Sequence, residues 1–378
     1  MKKILILAVA ATALVACAKS FDKSTSQELT IGFNTWAEHM TKAASNTVGN
    51  TFANGDNFNV YGYKTLSGTA TDVFTGDVVS TTDGTNWSYT NTRYWDKNAS
   101  EYGFFAVSPA EKVATATTTA KDGAFVTSDI QFLGNDNDIL VANKKTVTTI
   151  PQTTAVPLEF NHVASLVDIN VKKSPALANA TVTISAFSLS NIEDDGVLTV
   201  TASNYDPSGA ISVARSDWGA DDGTLKTYLP ANGTTPVYGA DNSTAISTTN
   251  KITIDKDPDF DIDDPATPGG STPLFTGLIV KPQAFDGTKN PDASQKITLT
   301  YQITSAGGDV NEYSPTLWLV DFDLEDDDEQ GPSDQIGSWN PGKHYIFYIT
   351  IDANAIEFSA SINTWTTPDI NGYHYLLN

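Results

Sequence analysis

Short runs in which apolar and polar residues alternate, each closed by Gly, Pro, Asn or Asp, constrain this chain more than any other feature. They occur at 29–33 (LTIGF), 59–63 (NVYGY), 166–171 (LVDINV), 181–187 (TVTISAF), 296–303 (KITLTYQI) and 345–351 (YIFYITI). Successive side chains of an extended strand point to opposite faces, so alternation marks a strand with one buried and one wet face. Apolar residues at the three-and-four spacing of a helix are scarce after the first few turns of sequence. Many short strands punctuated by turn residues predict an all-β chain built of antiparallel β-sandwiches, with helix confined to isolated turns. No fixed-period repeat is present, which argues against propellers and solenoids.

The first seventeen residues, MKKILILAVAATALVAC, follow a different pattern. Lys2 and Lys3 precede an apolar stretch from Ile4 to Leu14 that is too short to span a bilayer, and the stretch closes on small residues before Cys17. This is the pattern of a lipoprotein signal peptide. Cys17 is the only cysteine, so it cannot form an internal disulfide and is better explained as the site of lipid attachment. Residues 1–16 are expected to be removed and the mature chain to be held to a membrane by acyl chains. The second mature position is Ala18 rather than Asp, which favours the outer membrane. An ordinary secretory signal with a chance cysteine is the plainer alternative.

Without residues 1–16 the chain keeps 362 residues, and its formal charge moves from −23 to −25 as Lys2 and Lys3 leave. That length can bury two or three cores. Such acidity excludes nucleic acid as a partner, because phosphates need Lys and Arg, and Arg93 and Arg215 are the only arginines. Residues 18–28 (AKSFDKSTSQE) form a polar tether. The organisation expected is a tether and first strand over 17–42, an N-terminal sandwich over 43–174 and a C-terminal sandwich over 175–378. The break could fall anywhere from about 150 to 175, since the strand after Pro157 suits either unit.

Candidate chemistry is sparse. His39, His162, His344 and His374 show no zinc spacing, and no G-x-S-x-G elbow accompanies them. The sharpest polar cluster is Asp255, Asp257, Asp259, Asp261 and Asp263, where alternating carboxylates could converge on calcium if the loop folds back. From Asp255, however, the sixth and twelfth positions of an EF-hand loop hold Phe260 and Ala266, and three prolines make a solvated insertion the simpler reading. No metal and no cofactor is expected. Trp36, Trp87, Trp95, Trp218, Trp318, Trp339 and Trp365 could line a sugar site, but such residues more often pack cores.

The segments 29–33 (LTIGF) with Thr41–Ala43 (TKA), Tyr94–Trp95 before 102–109 (YGFFAVSP), 158–164 (LEFNHVA), 339–351 (WNPGKHYIFYITI) and 356–365 (IEFSASINTW) follow in this order along the chain. Together they resemble the fimbrillin family, the lipoprotein-precursor pilins of Bacteroidota called type V. The resemblance implies two tandem transthyretin-like sandwich domains and a non-enzymatic structural subunit of a pilus that supports adhesion or biofilm growth. It also implies assembly in which a trypsin-like protease cuts behind the first strand and a neighbouring subunit supplies a replacement. Lys42 is the matching basic residue here. Cutting after it would remove Leu29, Ile31 and Phe33, alternating side chains expected to share one buried face. Tyr373, Tyr375 and Leu377 mark a candidate donor strand near the C-terminus. Implied partners are other fimbrial subunits, the outer membrane through the precursor's lipid, and a host or bacterial surface ligand. A glycan-binding outer-membrane lipoprotein is the alternative, which a tryptophan-lined hollow would favour; a β-sandwich hydrolase is a more distant one, which a buried His–carboxylate pair in a cleft would favour.

Overall fold

A computed structural model describes residues 29–36, 52–116, 120–132, 138–220, 225–229, 246, 251–254, 272–324, 336–353 and 356–364. Within them the chain is all-β, its helix limited to 3-10 turns of three residues. Among the described residues, no helix is long and apolar enough to cross a membrane.

In chain order the first strands are β1 (Phe33–Trp36), β2 (Asn57–Leu66), β3 (Thr69–Thr81), β4 (Trp87–Ser88) and β5 (Glu101–Ser108). Then come β6 (Val113–Ala116), β7 (Phe125–Thr127), β8 (Ile130–Gln131), β9 (Leu140–Ala142), β10 (Lys145–Val147) and β11 (Val156–His162). One sheet runs β1-β11-β9-β5-β2-β3-β4, with β10 also on β5. This sheet rolls up on itself. Ile31 and Phe33 from its first edge pack in the same cluster as Trp87 and Tyr89 from its last, and an isolated antiparallel bridge joins Thr30 to Tyr94. β5 explains its own sequence: Tyr102, Phe104 and Ala106 face the rolled interior, while Phe105 and Val107 face a second core outside it. A strand buried on both faces reads as an unbroken apolar run.

The remaining strands are β12 (Ser165–Lys173), β13 (Thr181–Glu193), β14 (Asp195–Val200), β15 (Trp218–Ala220), β16 (Leu225–Tyr228), β17 (Ile252–Ile254) and β18 (Thr272–Val280). They continue through β19 (Lys296–Thr304), β20 (Val310–Tyr313), β21 (Thr316–Trp318), β22 (Asp323–Leu324), β23 (Lys343–Ile351) and β24 (Ile356–Thr364). A five-stranded sheet β18-β12-β23-β24-β22 faces a six-stranded one built on β16-β13-β19-β20. Between them lies the largest apolar cluster, fed by strict alternation: Val167, Ile169 and Val171 from β12 meet Ile297, Leu299 and Ile303 from β19.

The structure departs from the sequence expectation in two respects. The sheets are not wholly antiparallel: β1 runs parallel to β11, β12 to β23 and β22 to β24. The ladders also do not divide serially along the chain, and the change of partners falls inside the 150–175 range in which a break is expected. β12 pairs with β23 from Leu166↔His344 to Lys173↔Ile351, so the chain changes partners between His162 and Ser165. β14 and β15 then return to join β6, β7 and β8 in the sheet that covers the outside of the rolled one. Alternation fixes which side chains are buried but not which strand is the neighbour, so pairing across such distances leaves no local trace.

Candidate functional site

The first strand closes the seam of the rolled sheet. On one side its backbone follows β11 in parallel register from Phe33↔Val156 to Trp36↔Glu159, and Val156 N donates to Gly32 O at 2.8 Å. On the other side Ile31 N donates to Arg93 O at 2.8 Å, and Trp95 N donates to Leu29 O at 2.9 Å. A short segment thus satisfies backbone groups on both rims, and without it both rims would present open ladders.

Side chains add to the seal. Ile31 and Phe33 are buried and Leu29 is half-buried against the same cluster, whereas Thr30 and Asn34 are exposed. Phe33 stands among four rings, with centroids 5.3 Å from Phe74, 5.7 Å from Phe104, 5.9 Å from Tyr89 and 6.4 Å from Phe58. The contacts with Phe58, Phe74 and Phe104 are edge-to-face, the arrangement that aromatic quadrupoles favour.

The rim opposite β11 is held by two residues that no periodicity announces. Tyr89 donates its hydroxyl to Ile31 O at 2.5 Å and accepts from Arg93 N at 3.2 Å. Burial pushes its phenol pKa up, partly offset by the Arg93 backbone N–H, so it stays a donor at neutral pH. Arg93 donates from Nε to Val73 O at 3.1 Å and from Nη1 to Asn91 O at 2.6 Å, and its Nη2 lies 3.2 Å from Asp77 Oδ1. One of only two arginines in the chain is therefore spent on fixing this rim.

Several expected site residues fall elsewhere. Cys17, Lys42, the acidic run Asp255, Asp257, Asp259, Asp261 and Asp263, and the stretch with Tyr373, Tyr375 and Leu377 lie outside the described residues. His162 Nδ1 sits 3.1 Å from Asp138 Oδ1, and both side chains are almost wholly buried from solvent. His344 Nε2 lies 2.9 Å from Asp168 Oδ2, a cross-strand tie between β23 and β12. Trp218 and Trp339 are buried, the former donating from Nε1 to Val163 O at 2.9 Å, so neither contributes to a sugar platform.

A family model described as Fimbrillin-like matches residues 41–365. No curated protein matches the chain. Among solved structures, a fimbrial protein from Bacteroides vulgatus ATCC 8482 superposes with a TM-score of 0.57 at 18% identity, covering 89% of this chain and 99% of that one. That likeness shows a shared fold. A fimbrilin (fimA) from Porphyromonas gingivalis W83 aligns at 11% identity with a TM-score of 0.38, over 89% of this chain and 98% of that one. The tip fimbrial protein Mfa3 from Porphyromonas gingivalis aligns at 10% identity with a TM-score of 0.35, over 89% and 100%.

Proposed function

The chain belongs to the fimbrillin-like family, a family of fimbrial structural subunits rather than enzymes, and we propose that it is a pilus subunit exported as a lipoprotein precursor and assembled by replacement of its first strand. Family membership carries the coarse part: a fimbrial subunit at the cell surface that polymerises with other fimbrial subunits. The finer part is our reading. Cys17 takes lipid and anchors the precursor to the outer membrane, cleavage after Lys42 frees residues 17–42, and a strand from a neighbouring subunit fills the seam. The segment of Tyr373, Tyr375 and Leu377 is the candidate donor. The two units we propose as domains meet where the chain changes partners, after His162, and the assembled fibre serves adhesion or biofilm growth.

The observation that carries this reading is the position of β1. It is a four-residue edge strand that, with Ile31 just ahead of it, seals a seam and buries Ile31 and Phe33 in a core, and it precedes Lys42 in the sequence. Each such side chain is worth roughly 1.5–3 kcal/mol when buried, so a vacated seam would draw in a replacement strand. A monomeric glycan binder has no use for a detachable seam strand. N-terminal sequencing of the cell-associated polymer tests the proposal: an N-terminus at Ala43 is expected, and a lipidated Cys17 on every subunit would overturn it.

A further inference from the structure

Resting on the strand-replacement reading above, we infer that the seam selects its occupant by one aromatic side chain at the Phe33 position, two residues from an aliphatic one at the Ile31 position. The partner it fits is an extended segment of another subunit with the spacing aliphatic–x–aromatic along the direction of the resident strand, or aromatic–x–aliphatic, as at Tyr375 and Leu377, when it enters antiparallel to that strand. Ile31, just ahead of β1, and Phe33, its first residue, are both buried. Four rings surround Phe33, three of them edge-on to it. A smaller or unstacked side chain there leaves those rings facing a void that they cannot close, because Phe58, Phe74 and Phe104 are fixed in the ladders of β2, β3 and β5.

The other positions are read loosely. Asn34 and Thr30 face outward. A Cβ built on Gly32 would meet only Ala155 Cβ, at an ordinary 3.9 Å. Leu29 packs only half-buried at the cluster's margin, and the polar contacts are to main chain: Tyr89 donates to a carbonyl, and Arg93 O and Trp95 N bond backbone groups. Such bonds hold any extended segment, so discrimination falls to the enclosed pair, and within it to the aromatic member.

The test uses the full chain with a specific protease site placed within residues 37–50, cut so that the leading fragment is bound without a covalent link. Fluorescent peptides of residues 29–36 (LTIGFNTW) then compete for the seam, and release of the resident fragment is followed in parallel. The parent and Gly32→Ala peptides should bind within about threefold of each other, and Phe33→Ala should bind at least about a hundredfold more weakly. Phe33→Leu should fall about tenfold, the share of the ring contacts beyond size. The same Phe33→Ala change within the chain should speed fragment release by a similar factor. Phe33→Ala or Phe33→Leu competing within about threefold of the parent would overturn aromatic selection and leave the seam standing. A parent peptide that never binds, with a resident fragment that leaves at once, would overturn the replacement reading itself.

Discussion

Phe33 and Tyr89 hold the same strand by different physics, and their substitutions should separate accordingly. Truncating Phe33 to Ala leaves a void among Phe58, Phe74, Tyr89 and Phe104, and should cost about 3–5 kcal/mol in denaturant unfolding followed by tryptophan fluorescence. Tyr89→Phe keeps the ring and loses one hydroxyl bond to Ile31 O, so the same experiment should show a loss of about 1 kcal/mol. Gly103 offers a third case. A Cβ there would lie 2.2 Å from Tyr63 Cε1, because the Tyr63 ring crosses the bare backbone on its way to Glu101. Gly103→Ala must therefore displace that ring, and a loss of about 1–3 kcal/mol is expected in the same assay. The alternation of Leu29, Ile31 and Phe33 could be read in the sequence because it is local. Tyr89 and Arg93 could not, since they sit in a loop and matter only through a strand some sixty residues away.

At the scale of elements, β1 differs from its neighbours in how it is held. β2 and β5 are long, paired on both sides and buried between two cores, whereas β1 is short and lies at an edge, next to a loop rim. Amides with few buried neighbours open locally, without global unfolding. Hydrogen exchange should therefore show the amides of Ile31 and Trp95 exchanging well before those of Tyr61 and Phe105; equal protection would mean that the seam opens only with the whole unit. The strands themselves were legible from alternation, as in β12 and β19, or from a continuous apolar run, as in β5. Their neighbours were not. The pairing of β12 with β23 joins residues some 178 apart, and the return of β14 to β7 crosses the expected boundary. Parallel partners and sheet-swapping strands are decided by long-range packing, which one chain's periodicity does not encode.

Across the whole molecule, charge and burial set a broad stability plateau in pH. Hydrogen bonds hold several surface carboxyls below the ordinary carboxylate range: Asn86 and Thr85 around Asp83, Lys64 at Asp96, Ser208 at Asp206, Ser294 and Thr288 at Asp286. Their contribution is complete above the unfolded carboxylate value near 4 and is lost as the pH falls through the lower folded values. Buried phenols act at the other end. Desolvation raises Tyr61, Tyr63, Tyr89, Tyr102, Tyr228 and Tyr345, so above the unfolded phenol value near 10 the unfolded state holds fewer protons and stability declines. Thermal unfolding should be nearly flat between about pH 5 and pH 9.5 and fall on both sides; a steep change near neutrality would contradict this balance.

The central claim, that the first strand is a replaceable seam, is tested most directly by the mass in solution of a chain beginning at Ala43, compared by light scattering with one beginning at Ala18. The longer chain should remain monomeric, while the shorter one should self-associate with concentration and return to monomer when the 29–36 peptide is added. A shorter chain that stays folded and monomeric at high concentration, and ignores the peptide, would contradict the account.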